Sequence, residues 1–412
     1  MRIVVISGAF PPLEIPEGAH AEFLCNNLLE RGHCVTLITT RGLGECCRRD
    51  LNVEAVMGNW SWLEAPRLAR AVRRSRPDAI LLVLLPALYQ FHPMITYAPS
   101  ICRKAAPNAV FIAKFASLQG PRWGSRVRGL TRRIAAHLSR FPAHPKWGTL
   151  LSASHGVVCE GLPHYLGLKN DLHAAVRSTV IPQTSLIDTA NGEPLDRDHA
   201  REAVGVPAEA FVLGYFGYMY RAKGVEVLLR AFADLRESRP NLRLLLIGGT
   251  EDYVDHQRDT YWNEIHALAD ELGIASDVIW TGNVRTAELL GACDLMVLPF
   301  RTGLSLNNTS FAAIAKHGLP VVSTVCPNQD PELVHGKTVY LCPPDDPVAL
   351  SNAIDELISN PILRAHLGQG SLDLFNTCLS PERFMDSLMG FIEDTIQQTH
   401  GSTGCSRPSD PS

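Results

Sequence analysis

At 412 residues the chain is longer than the about 250–300 residues that one hydrophobic core sustains, so two domains and a tail are expected. Hydrophobic residues make up 46% and charged residues 19%, which excludes wholesale disorder, and the longest apolar run, 79–89, has half the length a bilayer crossing requires. The net charge of −4 conceals an asymmetry: residues 1–190 hold 22 Lys/Arg against 12 Asp/Glu, net +10, and the rest of the chain is net −14.

Short apolar strands alternate with segments of helical period from end to end, the pattern of α/β domains with parallel sheets. In the first half, strands are expected at 2–7, 34–39, 79–85, 109–114, 156–159 and 179–181. The first of these, cut short by Pro11-Pro12 and lacking a small-residue cleavage site, reads as a strand and not as a signal peptide. A helix is expected over 19–31, where Phe23, Leu24, Leu28 and Leu29 recur at helical spacing and Gly32 provides the stop. Its entry, Glu17-Gly18-Ala19-His20, lets a ligand approach backbone amides at Gly18. Over 121–140, Trp123, Val127, Leu130, Ile134 and Leu138 form one apolar face among arginines, a basic amphipathic helix suited to an anionic membrane surface.

Residues 188–198 are polar, with Gly and Pro, and read as a linker. The alternation then restarts, with strands at 211–216, 242–247, 277–280, 295–298, 320–323 and 339–341. A last helix is expected over 381–396 and a disordered tail over 399–412. Two doubly wound domains result, 1–188 and 196–378. A cross-over helix at 381–397 completes them, and ligands bind outside the carboxyl ends of the strands. The loops there are chemically specific. Gly217-Tyr218-Met219-Tyr220-Arg221-Ala222-Lys223-Gly224 joins a strand to a helix through a lysine, a site for an anion. Gly248-Gly249 ends the next strand with backbone that a flat ligand can approach, and Gly282-Asn283 repeats the device. After residue 298, Gly303, Leu304, Ser305, Asn307, Asn308, Thr309 and Ser310 lead into a helix whose first amides form a second phosphate cradle. No G-x-G-x-x-G occurs in the first strand–loop–helix unit, so the dinucleotide fingerprint is absent.

The series RGHCVTLIT, VIPQT, GYFGYMYRAKGVEVLLRAF, LLLIGG, VIWTGNV, LLGACDLMVLPF, KHGLPVVST and PELVHG resembles the retaining glycosyltransferases of GT-B fold, group-1 type, over about residues 1–397. The resemblance implies two Rossmann-like doubly wound domains facing across a cleft, with the last helix returning to the first domain. It implies transfer of a sugar from a nucleotide-sugar donor bound by the second domain to an acceptor bound by the first, with retention and without a metal or other cofactor. Lys223 resembles the lysine that holds the donor diphosphate, and Gly18 the glycine loop near the sugar. Gly248, Gly249 and Asn283 fall where the family holds the base. Lys223 and Ser305 are the catalytic candidates. The donor set is Gly18, Gly217, Tyr218, Arg221, Lys223, Gly248, Gly249, Asn283, Gly303, Asn307, Asn308, Thr309 and Ser310. The chain departs from the family in three respects: Tyr218 stands for its usual arginine, Ser305 and Ala313 for its two glutamates, and no histidine lies between 112 and 120. Arg221 and Arg301 are placed to replace the lost positive charge.

The acceptor implied is a glycan, a lipid-linked sugar or a small molecule. The alternatives are a catalytically silent glycosyltransferase-like subunit and a nucleotide-sugar 2-epimerase of the same fold. Eleven cysteines without a C-x-x-C pair fit a reducing cytoplasm, with the chain peripheral at a membrane. No nucleic-acid-binding pattern accompanies the basic half, so nucleic acid is not an expected partner.

Overall fold

A computed structural model of the chain describes residues 1–13, 15–44, 48–121, 140–186, 196–250, 258–282 and 287–401. It divides into two compact units, Met1–Ile181 with Met385–Ser412, and Pro182–Phe384. Residues 122–139 of the expected 121–140 helix, most of the 188–198 linker, and residues 402–412 of the expected tail lie outside the described residues.

The first unit is built on a seven-stranded sheet of order β3-β2-β1-β4-β5-β6-β7. Its strands are β1 (Arg2–Ile6), β2 (Cys34–Thr40), β3 (Asn52–Met57), β4 (Ala79–Leu84), β5 (Val110–Phe115), β6 (Gly156–Cys159) and β7 (Arg177–Val180). Every neighbouring pair is parallel, with Ile3 in register with Val35 on one side and Ala79 on the other. All six residues of β4 and of β5 are buried, as a parallel strand covered on both faces requires. Helices α1 (Pro16–Glu30), α2 (Ala65–Ser75), α3 (Ala98–Ala105), α4 (Leu150–Ala153) and α5 (Leu162–Leu168) accompany it. Strand β3 has no counterpart among the expected strands. Its sequence, NVEAVM, lies at the sheet edge and is mostly half-buried, so it lacks the apolar run that marks a central strand. Helix α1 begins three residues before the expected start, because Pro16 is preset for the first helical turn.

The second unit carries a six-stranded parallel sheet of order β10-β9-β8-β11-β12-β13. Its strands are β8 (Phe211–Phe216), β9 (Leu242–Ile247), β10 (Val278–Trp280), β11 (Leu295–Leu298), β12 (Val321–Thr324) and β13 (Tyr340–Cys342). Helices α6 (Arg197–Val204), α7 (Val225–Ser238), α8 (Arg258–Glu271), α9 (Thr309–Lys316), α10 (Pro347–Ser359) and α11 (Pro361–Leu374) accompany them. On α7, Val225, Leu228, Leu229, Phe232 and Leu235 are buried, the stripe that their spacing marks out.

The last helix, α12 (Pro381–Gly401), belongs from Met385 onward to the first unit. Arg31 pairs with Asp386 at 2.9 Å, and Arg177 both pairs with Asp394 at 3.6 Å and lies 5.4 Å from the Phe391 ring. Gly156 makes this packing feasible, since a Cβ there would fall 2.6 Å from the Phe391 ring. Residues 399–401, expected in the tail, are the end of this helix. The boundaries between the two units fall at Ile181 and Phe384.

Candidate functional site

In the second unit the strand order reverses between β8 and β11, and ligands in open parallel sheets bind at such a reversal, outside the carboxyl ends of the strands. The loops leaving those two strands meet there. After β8 the chain passes Gly217, at φ 131°, and forms a 3-10 turn over Arg221–Lys223 that Gly224 closes at φ 67°. A Cβ on Gly224 would lie 2.2 Å from the Pro299 carbonyl oxygen, and one on Gly217 would lie 2.7 Å from Ser310 Oγ. The Arg301 amide donates to the Ala222 carbonyl at 3.0 Å, which fastens one loop to the other.

The end of β9 braces the same place. Gly248 sits at φ 123°, and a Cβ on it would lie 2.4 Å from the Gly217 carbonyl oxygen. Its amide donates to Thr281 Oγ1 at 3.1 Å, and the Gly249 carbonyl accepts from the Met219 amide at 2.8 Å. Gly248→Ala is therefore opposed by both its dihedral and a backbone clash, and should destabilise the fold by about 2 kcal/mol or more. Urea denaturation should show a lower midpoint with an unchanged slope. Asn283, assigned with these glycines to the base, lies outside the described residues.

Lys223 is half-buried in the meeting of the two loops. Its Nζ lies 4.0 Å from the Phe300 ring centroid and 5.6 Å from that of Tyr220, and among the described residues it has no carboxylate partner. Burial pulls its pKa down from the ordinary 10.5 to about 8, because the ammonium has given up water for two aromatic faces. An anion that docks beside it would restore the charged form.

The second cradle is the start of α9. Asn308 occupies the N-cap with φ −84° and ψ 100°, but its side chain does not cap the helix. Its Oδ1 accepts instead from the Ser305 amide at 3.0 Å, while its own amide donates to the Ser305 carbonyl at 3.0 Å. The next bonded amides, Phe311 and Ala312, both donate to the Asn308 carbonyl. Among the described residues nothing accepts from the Thr309 and Ser310 amides, so the helix terminus presents two donors and the positive end of its dipole.

Other candidates have different work. Arg221 donates through Nη2 to both carboxylate oxygens of Glu264 at 2.7 Å. Arg301 is held by Glu226 and, through Nε, by Asp345 at 3.3 Å; Tyr261 donates to the same Glu226. Both guanidinium groups thus have carboxylate partners, on α7, on α8 and in the loop after β13. Ser305 is buried and clasped in the turn with Asn308, with Asn307 half-buried beside it. Gly303, at φ 82°, lets the β11 loop press on the segment after β12: a Cβ would be 2.4 Å from the Val325 carbonyl oxygen. Tyr218 is half-buried, and its carbonyl accepts from the Tyr215 hydroxyl at 2.8 Å.

In the first unit, Gly18 lies inside α1 and its amide already donates to the Ile15 carbonyl at 3.0 Å, so it is not an open donor. The glycine serves packing, since a Cβ would lie 2.9 Å from the Leu13 carbonyl oxygen. Sequence reasoning missed a buried group of charges nearby. Lys114, with no exposed side-chain surface, pairs with Glu160 just beyond β6. Burial and the charge of Glu160 raise the pKa of Glu17, while burial and Lys114 hold that of His20 well below the ordinary range. The available signal was a lysine inside the otherwise apolar strand VFIAKF.

Among the described residues no cluster of His, Cys, Asp and Glu is placed to hold a metal ion, and no helix is long and apolar enough to cross a membrane.

Residues 210–360 match the family described as Glycosyl transferases group 1. A D-inositol 3-phosphate glycosyltransferase from Stackebrandtia nassauensis is 32% identical over 240 residues, 55% of this chain and 52% of the relative. One from Corynebacterium urealyticum is 31% identical over 199 residues, 46% of this chain and 45% of the relative. The chain thus spans about half the length of the curated relatives it matches. Among solved structures, sucrose-phosphate synthase from Thermosynechococcus elongatus superposes with a TM-score of 0.70 at 16% identity, covering 96% of this chain and 99% of the other. Anabaena HepE in complex with UDP gives 0.70 at 18% identity, covering 96% and 100%. A glycosyltransferase from Rickettsia africae gives 0.71 at 15%, covering 96% and 98%.

Proposed function

We propose that this chain, whose fold is that of solved glycosyltransferases and whose residues 210–360 match the group 1 family, transfers a sugar from a nucleotide-sugar donor to a hydroxyl acceptor. One observation carries this reading. Where the strand order of the second unit reverses, an ammonium and two helix amides, all without an acceptor among the described residues, come from loops that pack on each other. That is a receptor for a diphosphate.

Lys223 and the Thr309 and Ser310 amides stabilise the charge that builds on the departing diphosphate. The leaving oxygen takes the acceptor's proton, so transfer proceeds with retention and without a protein nucleophile or a metal. The Gly248-Gly249 backbone lies against the base, and uridine diphosphate sugars are the first donors to try. The acceptor is a glycan, a lipid-linked sugar or a small molecule. The arginine-rich first unit meets an anionic membrane surface on the cytoplasmic side.

The ammonium form of Lys223 is the one that holds the diphosphate. In the free enzyme it is lost as pH rises through about 8, so kcat/KM should fall tenfold per unit above that value. Lys223→Arg should move this alkaline limb up beyond the measurable range at a lower plateau. A pH–rate profile of the two proteins checks both statements.

The neutralisation of Arg221 and Arg301 by carboxylates favours a second reading, a catalytically silent subunit that binds nucleotide. Mass spectrometry of the full chain with a panel of nucleotide sugars, with and without acceptor extracts, separates the two. Nucleoside diphosphate released together with a glycosylated product supports transfer. Nucleotide binding without turnover supports the silent subunit, and an interconverted sugar an epimerase.

A further inference from the structure

We propose that the exposed face of α2 and the arginine-lined groove at its end form the surface by which the first unit docks on an anionic lipid bilayer. This rests on the anionic-surface reading above and assigns its residues. Arg2, Arg70, Arg73, Arg74 and Arg76 line one groove of about 640 Å³ at the amino ends of β1 and β4, the end of this sheet away from its ligand crevice. Two acids temper it: Asp78 pairs with Arg2 at 3.4 Å and Glu54 with Arg74 at 2.7 Å. Arg70 donates only to the Pro66 carbonyl, and among the described residues Arg70, Arg73 and Arg76 have no carboxylate partner. Arg76 closes α2 at φ 44°, a left-handed conformation that an arginine adopts at a cost.

The helix dipole favours cations in the last turn of α2, which accounts for Arg73 and Arg74. It does not bring in Arg70 from a turn earlier, or Arg2 from another element. Guanidinium groups converging on one groove repel each other, and an anionic surface relieves that repulsion.

The occupant is a bilayer because the patch also carries an apolar residue in line with the charges. Leu63, 90% exposed, stands on the 3-10 turn Trp62–Glu64 that runs into α2. Leu63, Arg67, Arg70 and Arg74 follow one another at i, i+4, i+7 and i+11, a single exposed stripe beside the buried Leu68, Ala71 and Val72, in which Arg67 pairs with Glu64 at 2.7 Å. An exposed leucine next to a row of arginines suits the boundary between headgroups and acyl chains.

The test is flotation of the full chain with phosphatidylcholine vesicles, with or without one third phosphatidylglycerol, at moderate salt. The wild type should bind only the anionic vesicles. Replacing Arg70, Arg73 and Arg76 together with glutamine should weaken that binding about 100-fold, roughly fivefold for each arginine. Leu63→Ser should weaken it roughly tenfold at unchanged charge. Circular dichroism and transfer to a soluble acceptor should be unaltered in both variants. Wild-type binding that the triple variant retains would overturn this patch and leave the anionic-surface reading to other residues. A wild type that ignores anionic vesicles would overturn that reading as well. Tighter binding to a duplex oligonucleotide than to anionic vesicles at equal salt would overturn the bilayer as occupant.

Discussion

Replacing Lys223 with alanine is expected to slow sugar transfer roughly 100- to 1,000-fold, the loss that follows removal of one preorganised charge-stabilising contact. The ammonium acts most strongly in the transition state, where negative charge has built up on the bridging oxygen. Donor affinity should fall less, because the Thr309 and Ser310 amides still face the phosphates. Arginine should restore only part of the rate, since a planar fork cannot reproduce a compact point charge.

Stability should move the other way. Lys223 is half-buried between Phe300 and Tyr220. Its folded-state pKa of about 8 lies below the ordinary 10.5, so folding disfavours the proton. The penalty is present in full below about pH 8 and disappears as pH rises towards 10.5. Lys223→Met should therefore raise the melting temperature of the ligand-free protein at neutral pH, and the gain should vanish in alkali. A residue that weakens the fold and strengthens the chemistry has the signature of a site group.

The second large effect concerns the first unit. Lys114→Met leaves the Glu160 carboxylate buried without its partner and should destabilise the protein by about 3–5 kcal/mol. Adding Glu160→Leu should recover most of that loss, because the cost arises from one stranded charge and not from the missing pair. Equilibrium unfolding in urea of the single and double variants distinguishes this from a simple packing defect, which the second substitution would worsen.

How far the sequence reaches can be seen in particular elements. Strands β4, β5, β8 and β9 are legible because a strand buried on both faces is mostly apolar, and Lys114 in β5 and Arg243 in β9 do not hide the run. Edge strand β3 is half-buried and leaves no such trace. The glycine positions are legible too: Gly217, Gly224, Gly248 and Gly303 all have positive φ and all sit where another backbone or side chain allows no Cβ. What the sequence hides is pairing at long range. Arg221 lies 43 residues from Glu264, and Arg301 lies 75 from Glu226. No local pattern reveals that these guanidinium groups are already neutralised. The same holds for Lys114 and Glu160, 46 residues apart. Gly18 shows a subtler limit. The glycine was readable, but α1 begins at Pro16, and that shift turns the Gly18 amide from an open donor into part of the first helical turn.

The most direct measurement is calorimetric titration of the full chain with uridine diphosphate and the other nucleoside diphosphates, comparing wild type with Thr309→Pro. Proline is well tolerated at the first helical position, and Asn308 before it, at ψ 100°, is already outside the helical region and within about 20° of the extended range that proline favours. The substitution therefore deletes one open amide and little else. A phosphate seated on this helix terminus predicts about a 10- to 100-fold loss of nucleoside diphosphate affinity, the worth of one hydrogen bond to a charged group, with the fold intact. An affinity equal to that of the wild type in a well-folded Thr309→Pro protein would contradict a diphosphate at this end of α9.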